Sequence, residues 1–247
     1  MIKRKLQQKT SSSSDSGFTI IESLIGIVVV AILLAAISPV LVMSTAIRVQ
    51  SRRIEKATQA ASTFIDGVRT NSIKTPGEYS NDNKIPLDPA TAADPRLLED
   101  NLISLTQMPV PDTKDDNDLY LFKKDGIICH TSEIGCTKNS DSPFEEFYIQ
   151  ARQIIVTGSG ANDGYRLALR VYRADVDFEK PLLASSKDDS GNTTKQTASV
   201  VTEGLGNQQA PAIERTVDIG NVSTTFQALC NRLGLAPDKD GNNQDCQ

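Results

Sequence analysis

A single carboxylate, Glu22, lies near the start of an otherwise uncharged apolar run that continues to Met43. About 20 helical residues, each rising 1.5 Å, span the roughly 30 Å hydrocarbon core of a bilayer. A carboxylate in such a segment is costly, and ionisable groups in membranes usually pair or have a function. One interpretation of the position is therefore that Glu22 pairs with another group or has a function. The alternative is that the side chain only reaches the membrane interface and has no role.

Four cysteines, Cys129, Cys136, Cys230 and Cys246, all follow the apolar run. In an oxidising compartment an even number of cysteines favours disulfides. Four cysteines allow three pairings, of which sequence proximity favours Cys129–Cys136 together with Cys230–Cys246. The alternative is a zinc site that includes His130, the only histidine, but the absence of a CxxC spacing disfavours it.

The C-terminal stretch PDKDGNNQDC contains four oxygen-donating side chains, those of Asp238, Asp240, Asn242 and Asp245. Oxygen ligands on a turning loop are the kind that Ca²⁺ prefers, although the spacing lacks the final Glu of an EF-hand loop. A solvated polar turn needs no metal and is the simpler interpretation. No other metal and no organic cofactor is predicted.

Motifs and charge favour neither an enzyme nor a nucleic-acid-binding protein. The sequence has no GxSxG, HExxH, Walker or dinucleotide-binding motif. The net charge of -5 differs from the basic balance of nucleic-acid-binding proteins. The arginines of RLALRVYRAD (166 to 175) would form a basic stripe on an exposed strand face, or else be solvated or paired with acids, which is the commoner case. We therefore predict no specific nucleic-acid partner.

The apolar run differs from a secretory signal, whose apolar stretch of about 7–15 residues ends at a small-residue cleavage site. Here the run is longer, and the polar stretch TSSSSDSG (10 to 17) separates it from the basic residues before it. Basic residues also follow the run, at Arg48, Arg52, Arg53 and Lys56. We therefore predict a membrane span at 18–43 whose orientation charge counting alone does not set.

An amphipathic pattern follows the membrane span. Its apolar residues recur at three- and four-residue steps: Ile54, Ala57, Ala61, Phe64, Ile65 and Val68. This pattern predicts one long helix from about residue 19 to 72, with residues 44–72 as its amphipathic half. Pro39 lacks an N–H and crowds the carbonyl of Ala35, which predicts a kink or a loosened turn; the alternative is that the helix ends there.

Residues 73–247 are predicted to form a small head domain with long loops. Four strand candidates are DLYLFKK (118 to 124), GIICH (126 to 130), EFYIQARQIIV (146 to 156) and YRLALRVYRADV (165 to 176). GSGANDG (158 to 164) predicts a hairpin turn between the last two. Residues 75–96 predict an extended surface connection, and residues 185–199 a mobile loop. These elements predict an α+β fold in which a long N-terminal helix packs on a small antiparallel sheet.

The last strand candidate alternates between two kinds of side chain. Tyr165, Leu167, Leu169 and Val171 share one face, and the opposite face carries a more polar set. The polar set is Arg166, Arg170 and Tyr172. The first face is expected to cover the apolar stripe of the long helix, and the second to be exposed.

The block GFTIIESL (17 to 24), with a basic leader before it and an uncharged helix after it, resembles the class III signal of type IV pilins and of the pseudopilins of secretion systems. The resemblance covers about the first 55 residues and makes Phe18 the first mature residue and Glu22 the fifth. Pro39 lies where pilins also often have a proline. GYRLALRVYRADV (164 to 176) resembles a segment of cyanobacterial pseudopilins linked to polysaccharide secretion.

The resemblance implies a membrane aspartyl peptidase that cuts on the cytoplasmic side after Gly17 and N-methylates Phe18. A glycine has no side chain to obstruct an extended substrate in a protease cleft. The new amine of Phe18 lies about one helical turn before Glu22. Glu22 of an arriving subunit is therefore expected to pair with the Phe18 amine of a neighbour, and Pro39 to let packed helices curve.

The resemblance further implies a cleaved leader (1–17), an assembly helix (18–43), an amphipathic helix (44–72) and a periplasmic head (73–247). The expected location is the bacterial inner membrane, with a cytoplasmic N-terminus, and then a pilus or pseudopilus. The expected partners are the prepilin peptidase, other pilins or pseudopilins, an inner-membrane assembly platform and membrane lipid.

The resulting expectation is a minor pilin or pseudopilin that acts in secretion, polysaccharide export, motility or adhesion, and not an enzyme. A bridge between Cys230 and Cys246 would enclose a loop like the disulfide-bounded region of many pilins. The calcium assignment follows some major pseudopilins, which bind the ion in this loop. The alternative function is a singly membrane-anchored periplasmic binding domain that does not polymerise.

Overall fold

The computed structural model describes residues 19–94, 96, 105, 107–139, 145–160, 162–187, 193–194, 196 and 207–246. Gly17 and Phe18 lie outside the described residues, as does most of the loop predicted at 185–199. The chain divides into two compact units, an N-terminal unit through Thr45 and a C-terminal unit from Ala46 to Gln247. The division falls within the first helix.

Helix α1 extends from Ile20 to Arg69 and confirms the predicted long helix. It begins after Thr19, whose Oγ1 accepts a hydrogen bond from the backbone N–H of Glu22 at 3.3 Å. Pro39 lies inside α1, so the interpretation of Pro39 as a helix end is wrong. The helix ends a few residues earlier than predicted because Asn71 adopts a left-handed φ of 55°, which is typical of a helix C-terminus.

Among the described residues, the C-terminal unit contains a six-stranded sheet and two further short helices. The bounds are α2 (Pro76–Tyr79), a 3-10 turn (Asn81–Asn83), β1 (Lys84–Leu87), β2 (Leu119–Phe122), β3 (Ile128–His130), β4 (Phe147–Val156), β5 (Tyr165–Arg173), β6 (Ser186–Lys187), β7 (Thr193–Thr194), β8 (Ile213–Ile219) and α3 (Phe226–Leu233). The sheet order is β3-β2-β4-β5-β8, all antiparallel, while β6 and β7 form a separate pair. The α+β architecture and the four predicted strands are confirmed.

Strand β1 pairs in parallel with the second half of β4, in a region predicted as an extended connection. Its four residues include Pro86. Proline has no backbone N–H to donate, so within sheets it is confined to edge strands and similar positions. β1 is such an added edge strand, which explains why its sequence resembles a loop.

One face of the sheet packs against the amphipathic half of α1. The cluster combines Ala57, Ala60, Ala61, Phe64, Ile65 and Val68 of the helix with Tyr120, Ile149, Leu167, Leu169 and Val171 of the strands. The rings of Phe64 and Tyr120 meet edge to face at 4.7 Å between centroids. The small alanines let the helix backbone approach the sheet, and the predicted apolar stripe is its buried side.

The opposite face of the sheet is also buried, so the expectation that it is exposed is wrong. Arg166, Arg170 and Tyr172 are 3%, 0% and 0% exposed. Segments outside the sheet cover this face, because Met108 and Leu182 pack on it and the hydroxyl of Tyr172 donates to the carbonyl of Leu183 at 3.0 Å. The alternation of β5 predicts its two faces correctly, but alternation alone does not show that loops cover the second face.

In the predicted turn between β4 and β5, both the backbone conformation and the surroundings of Gly164 require a glycine. Gly164 has a φ of 73°, and a Cβ added there would overlap the carbonyl oxygen of Ile219 in β8. Positive φ and close backbone approach are the two conditions that favour glycine. Gly126 also has a positive φ, of 85°, but open space surrounds it.

Candidate functional site

The N-terminal unit presents an apolar helix surface that none of the described residues covers. An 18-residue window of α1 has a mean hydropathy of 2.9, and none of it is buried. Exposed fractions reach 89% for Ile20 and 70% for Ile27. Within the described part of the chain, α1 is the one helix long and apolar enough to cross a membrane. Exposed apolar surface of this extent indicates burial in lipid or against other helices.

Glu22 lies in the first turn of α1, where the positive end of the helix dipole stabilises a carboxylate. Its side chain is exposed, and its backbone N–H is satisfied by Thr19. None of the ion pairs found among the described residues includes Glu22. The helix therefore presents a carboxylate that can accept an external amine without breaking an existing contact.

Pro39 lies in the same exposed segment, nineteen positions after Ile20. Because Pro39 has no N–H, the helical hydrogen bond to the carbonyl of Ala35 is absent. Its pyrrolidine ring occupies a surface that is otherwise aliphatic. The assembly residues predicted from the sequence thus share one exposed helical segment, except for Gly17 and Phe18, which precede the described residues.

Comparison with protein families matches this segment. A family model described as the prokaryotic N-terminal methylation motif matches residues 12–38. No curated protein and no solved structure matches the chain. The motif together with the exposed apolar helix indicates membrane anchoring, and the α+β unit provides a folded C-terminal part. The motif supports a type IV pilin-like or pseudopilin-like protein, a class of structural subunit that prepilin peptidase processes and that assembles with other pilins.

Both disulfides favoured by sequence proximity are present in the structure. Cys129 and Cys136 are bonded with their Cα atoms 5.8 Å apart, and Cys230 and Cys246 with theirs 5.6 Å apart. The first bridge closes the loop after β3, and the second attaches the C-terminal segment to α3. Neither Cys129 nor its bonded partner is then available as a zinc thiolate.

His130 is a structural residue of the core rather than a metal ligand. It is 2% exposed and stacks on Tyr79, with 3.6 Å between ring centroids. Its Nε2 lies 2.9 Å from the carbonyl oxygen of Asn117, which only accepts, so Nε2 carries the proton. Its Nδ1 accepts from the backbone N–H of Ser132 at 3.2 Å and lies 2.7 Å from the hydroxyl of that residue. Burial lowers the pKa of His130, and these bonds hold the neutral ring.

The structure does not bring the four calcium candidates together. Asp238 accepts hydrogen bonds from the backbone N–H groups of Asp240 and Asn242 at 2.9 and 2.8 Å, which form a self-contained turn. Asp245 instead accepts from the backbone N–H of Ala92 at 2.6 Å. Among the described residues no group of three or more acidic, histidine or cysteine side chains is arranged to hold a metal ion. The polar-turn interpretation accounts for the contacts of Asp238.

Arg166 and Arg170 of β5 form buried ion pairs with β8, as the alternative of pairing with acids predicted from the sequence, although their burial was not predicted. Arg170 and Glu214 are directly opposite in the β5–β8 register, with Nε 3.4 Å from Oε1. The Arg170 guanidinium also donates to the carbonyl of Met108 and to Oε1 of Gln150, the latter at 3.2 Å. Burial lowers its pKa. A second ion pair joins the same two strands: Arg166 lies directly opposite Asp218, with Nε 3.8 Å from Oδ1.

Proposed function

We propose that the protein is a minor pilin or pseudopilin subunit that prepilin peptidase cleaves after Gly17 and that then assembles into a type IV pilus or a secretion pseudopilus. The supporting observation is that the methylation motif matches residues 12–38, and that none of the 18-residue apolar window of α1 is buried within the described structure. The peptidase recognition motif and an exposed apolar surface that can pack against lipid or other helices therefore lie in the same segment.

In this proposal the apolar segment of α1 has two successive environments. It first holds the subunit in the inner membrane, and it then leaves lipid to pack against the same segment of other subunits. Apolar packing in both environments lets the transfer proceed without exposing the helix to water. Glu22 then pairs with the methylated amine of Phe18 on a neighbour, since an unpaired carboxylate in a dry helical bundle would be costly. Registers that separate the two charges are thereby disfavoured.

The orientation in the proposal is a cytoplasmic leader and a periplasmic C-terminal unit. The two disulfides support it, because disulfides persist in oxidising compartments such as the periplasm. The peptidase, an inner-membrane assembly platform, other pilins or pseudopilins and membrane lipid are the partners that this orientation requires.

The resemblance of GYRLALRVYRADV to polysaccharide-secretion pseudopilins falls on β5. The residues of this strand between Arg166 and Tyr172 are all buried. Buried side chains determine how the sheet packs and do not contact a cargo. The proposal therefore assigns no cargo from this segment.

The test compares Glu22→Ala with Glu179→Ala, a matched change of an exposed glutamate in the C-terminal unit. We expect both variants to be cleaved after Gly17, and Glu22→Ala alone to be lost from sheared filaments. Unchanged incorporation of Glu22→Ala would contradict the assembly role. A processed chain that enters no filament even as wild type would instead favour the singly anchored, non-polymerising domain.

A further inference from the structure

A basic groove lies on the C-terminal unit beside the first turns of α1 in that unit. The groove has a volume of about 630 Å³ and is lined by Val49, Arg52, Arg53, Glu55, Lys56, Gln59 and Glu145. This volume is within the range of about 300–1,000 Å³ typical of ligand sites. The lining residues of α1 recur at three- and four-residue steps, so they share one face of the helix.

The charges of the groove favour an anion. Three cations line it, Arg52, Arg53 and Lys56, against two carboxylates, Glu55 and Glu145. One of these carboxylates is already neutralised, because Oε2 of Glu145 lies 2.8 Å from Nζ of Lys124, outside the groove lining. The remaining balance is positive. The two arginines present planar donor groups that suit phosphate oxygens.

The half-buried arginine of the groove supports the same conclusion. Burial lowers the pKa of Arg53, and the positive charge of Arg173 lowers it further, while Asp175 raises it. An added anion would stabilise the guanidinium in this environment. Arg173 is itself held by Asp175, with Nε 2.8 Å from Oδ1, so it does not lie open to a ligand in the way that Arg52 does.

The position of the groove in the sequence indicates where its anion comes from. Arg52 follows Met43, the last residue of the predicted membrane span, by nine residues within α1, which is about two and a half helical turns. Helical Cα–Cβ bonds tilt toward the helix N-terminus, so the Cα–Cβ bond of Arg52 is directed toward the preceding turn of α1. Clusters of Lys and Arg next to a membrane span attract anionic lipids. Val49 adds an apolar wall suited to the glycerol end of a lipid.

We propose that this groove binds the phosphate headgroup of an anionic phospholipid while α1 is inserted in the membrane. The inference goes beyond the proposed function and rests on its membrane anchoring alone, not on filament assembly. The lipid holds the C-terminal unit at the bilayer surface through the cations of the groove, of which Arg52 and Lys56 are the exposed ones. Extraction of the subunit from the membrane must break this contact.

The test uses the full chain in bilayers that contain spin-labelled phosphatidylglycerol or phosphatidylcholine as the probe. Electron spin resonance gives the ratio of the association constants of the two lipids with the protein. We expect wild type to prefer phosphatidylglycerol, and Arg52→Gln to reduce the ratio up to about fivefold at low ionic strength, with a similar further loss when Lys56→Gln is added. Arg52→Lys keeps the charge and should keep most of the preference.

The matched control is Arg69→Gln, which removes an exposed arginine at the far end of α1. Its ratio should equal that of wild type, and circular dichroism should show the same helix content in all variants. An unchanged ratio for Arg52→Gln, or an equal fall for Arg69→Gln, would overturn the proposal. The preference for phosphatidylglycerol should also be measured in inorganic phosphate and in chloride at equal ionic strength. A greater loss of the preference in phosphate would identify a site for soluble phosphate and would also overturn the proposal. Filament incorporation is scored separately, so failure here leaves the pilin proposal standing.

Discussion

Neutralising one partner of a buried ion pair should destabilise the C-terminal unit much more than the same change at the surface. Glu214→Gln removes the charge opposite Arg170, which is fully buried. Breaking a buried pair by removing one charge typically costs about 3–5 kcal/mol. Arg170 retains the Met108 carbonyl and Gln150 as acceptors, and a glutamine can still accept from the N–H of Ser185. The lower end of the range, about 3 kcal/mol, is therefore expected.

The assay is urea unfolding of a fragment that begins at Ala46, the start of the compact C-terminal unit, followed by far-ultraviolet circular dichroism. The free energy of unfolding should fall while the slope against urea stays constant, since the exposed area does not change. In a thermal scan the same loss corresponds to a decrease in Tm of about 6–12 °C for a domain of this size.

Two further variants make the reasoning refutable. Glu145→Gln removes the carboxylate of an exposed pair with Lys124 and should leave the free energy of unfolding unchanged within error. The double change Arg170→Met with Glu214→Leu removes both charges and should recover most of the stability lost in Glu214→Gln. Equal stability of Glu214→Gln and Glu145→Gln would refute the account of this pair.

Three other predictions concern the same unit and use the same unfolding assay. Gly126→Ala should cost about 1–2 kcal/mol, from the left-handed backbone alone. Gly164→Ala should cost more, because its added methyl group also overlaps the backbone of β8. Equal losses of stability would contradict this expectation. Cys246→Ser should lower the free energy of unfolding by about 3 kcal/mol by opening the C-terminal loop, and no loss would show that the bridge does not stabilise the fold. Because burial lowers the pKa of His130 in the folded chain, the unfolded chain binds more protons at this residue than the folded chain does once the pH falls below about 6.5. The stability due to the neutral ring should therefore be complete above this pH and decrease as pH falls through the folded pKa, and His130→Asn should remove this component of the pH profile.

The sequence predicted the elements with strong periodicity and failed where distant segments meet. The long helix followed from an apolar run and an amphipathic stripe, and β5 from strict alternation. β8 was missed although Ile213, Val217 and Ile219 alternate with polar residues; this signal was available. α3 also had signals, because Thr225 caps its start and Gly234 follows its end. β1 had none, since Pro86 argues against a strand.

The candidate sites show the same division. Glu22 and Pro39 could be selected from the sequence because their meaning depends on position within one helix. The burial of Arg170 could not, because its partners Met108, Gln150 and Glu214 come from three separate segments. The basic groove likewise depends on Glu145 lying beside α1, about ninety residues away in the chain. Only the fold brings such residues together.

The cut between Gly17 and Phe18 is the central claim, and mass spectrometry of the mature N-terminus tests it most directly. The full-length protein should be expressed with a prepilin peptidase, purified from membranes and digested. The account predicts a mature chain that begins with N-methylated Phe18. A chain that retains Met1, or one that is cleaved beyond Ala36, would contradict the account.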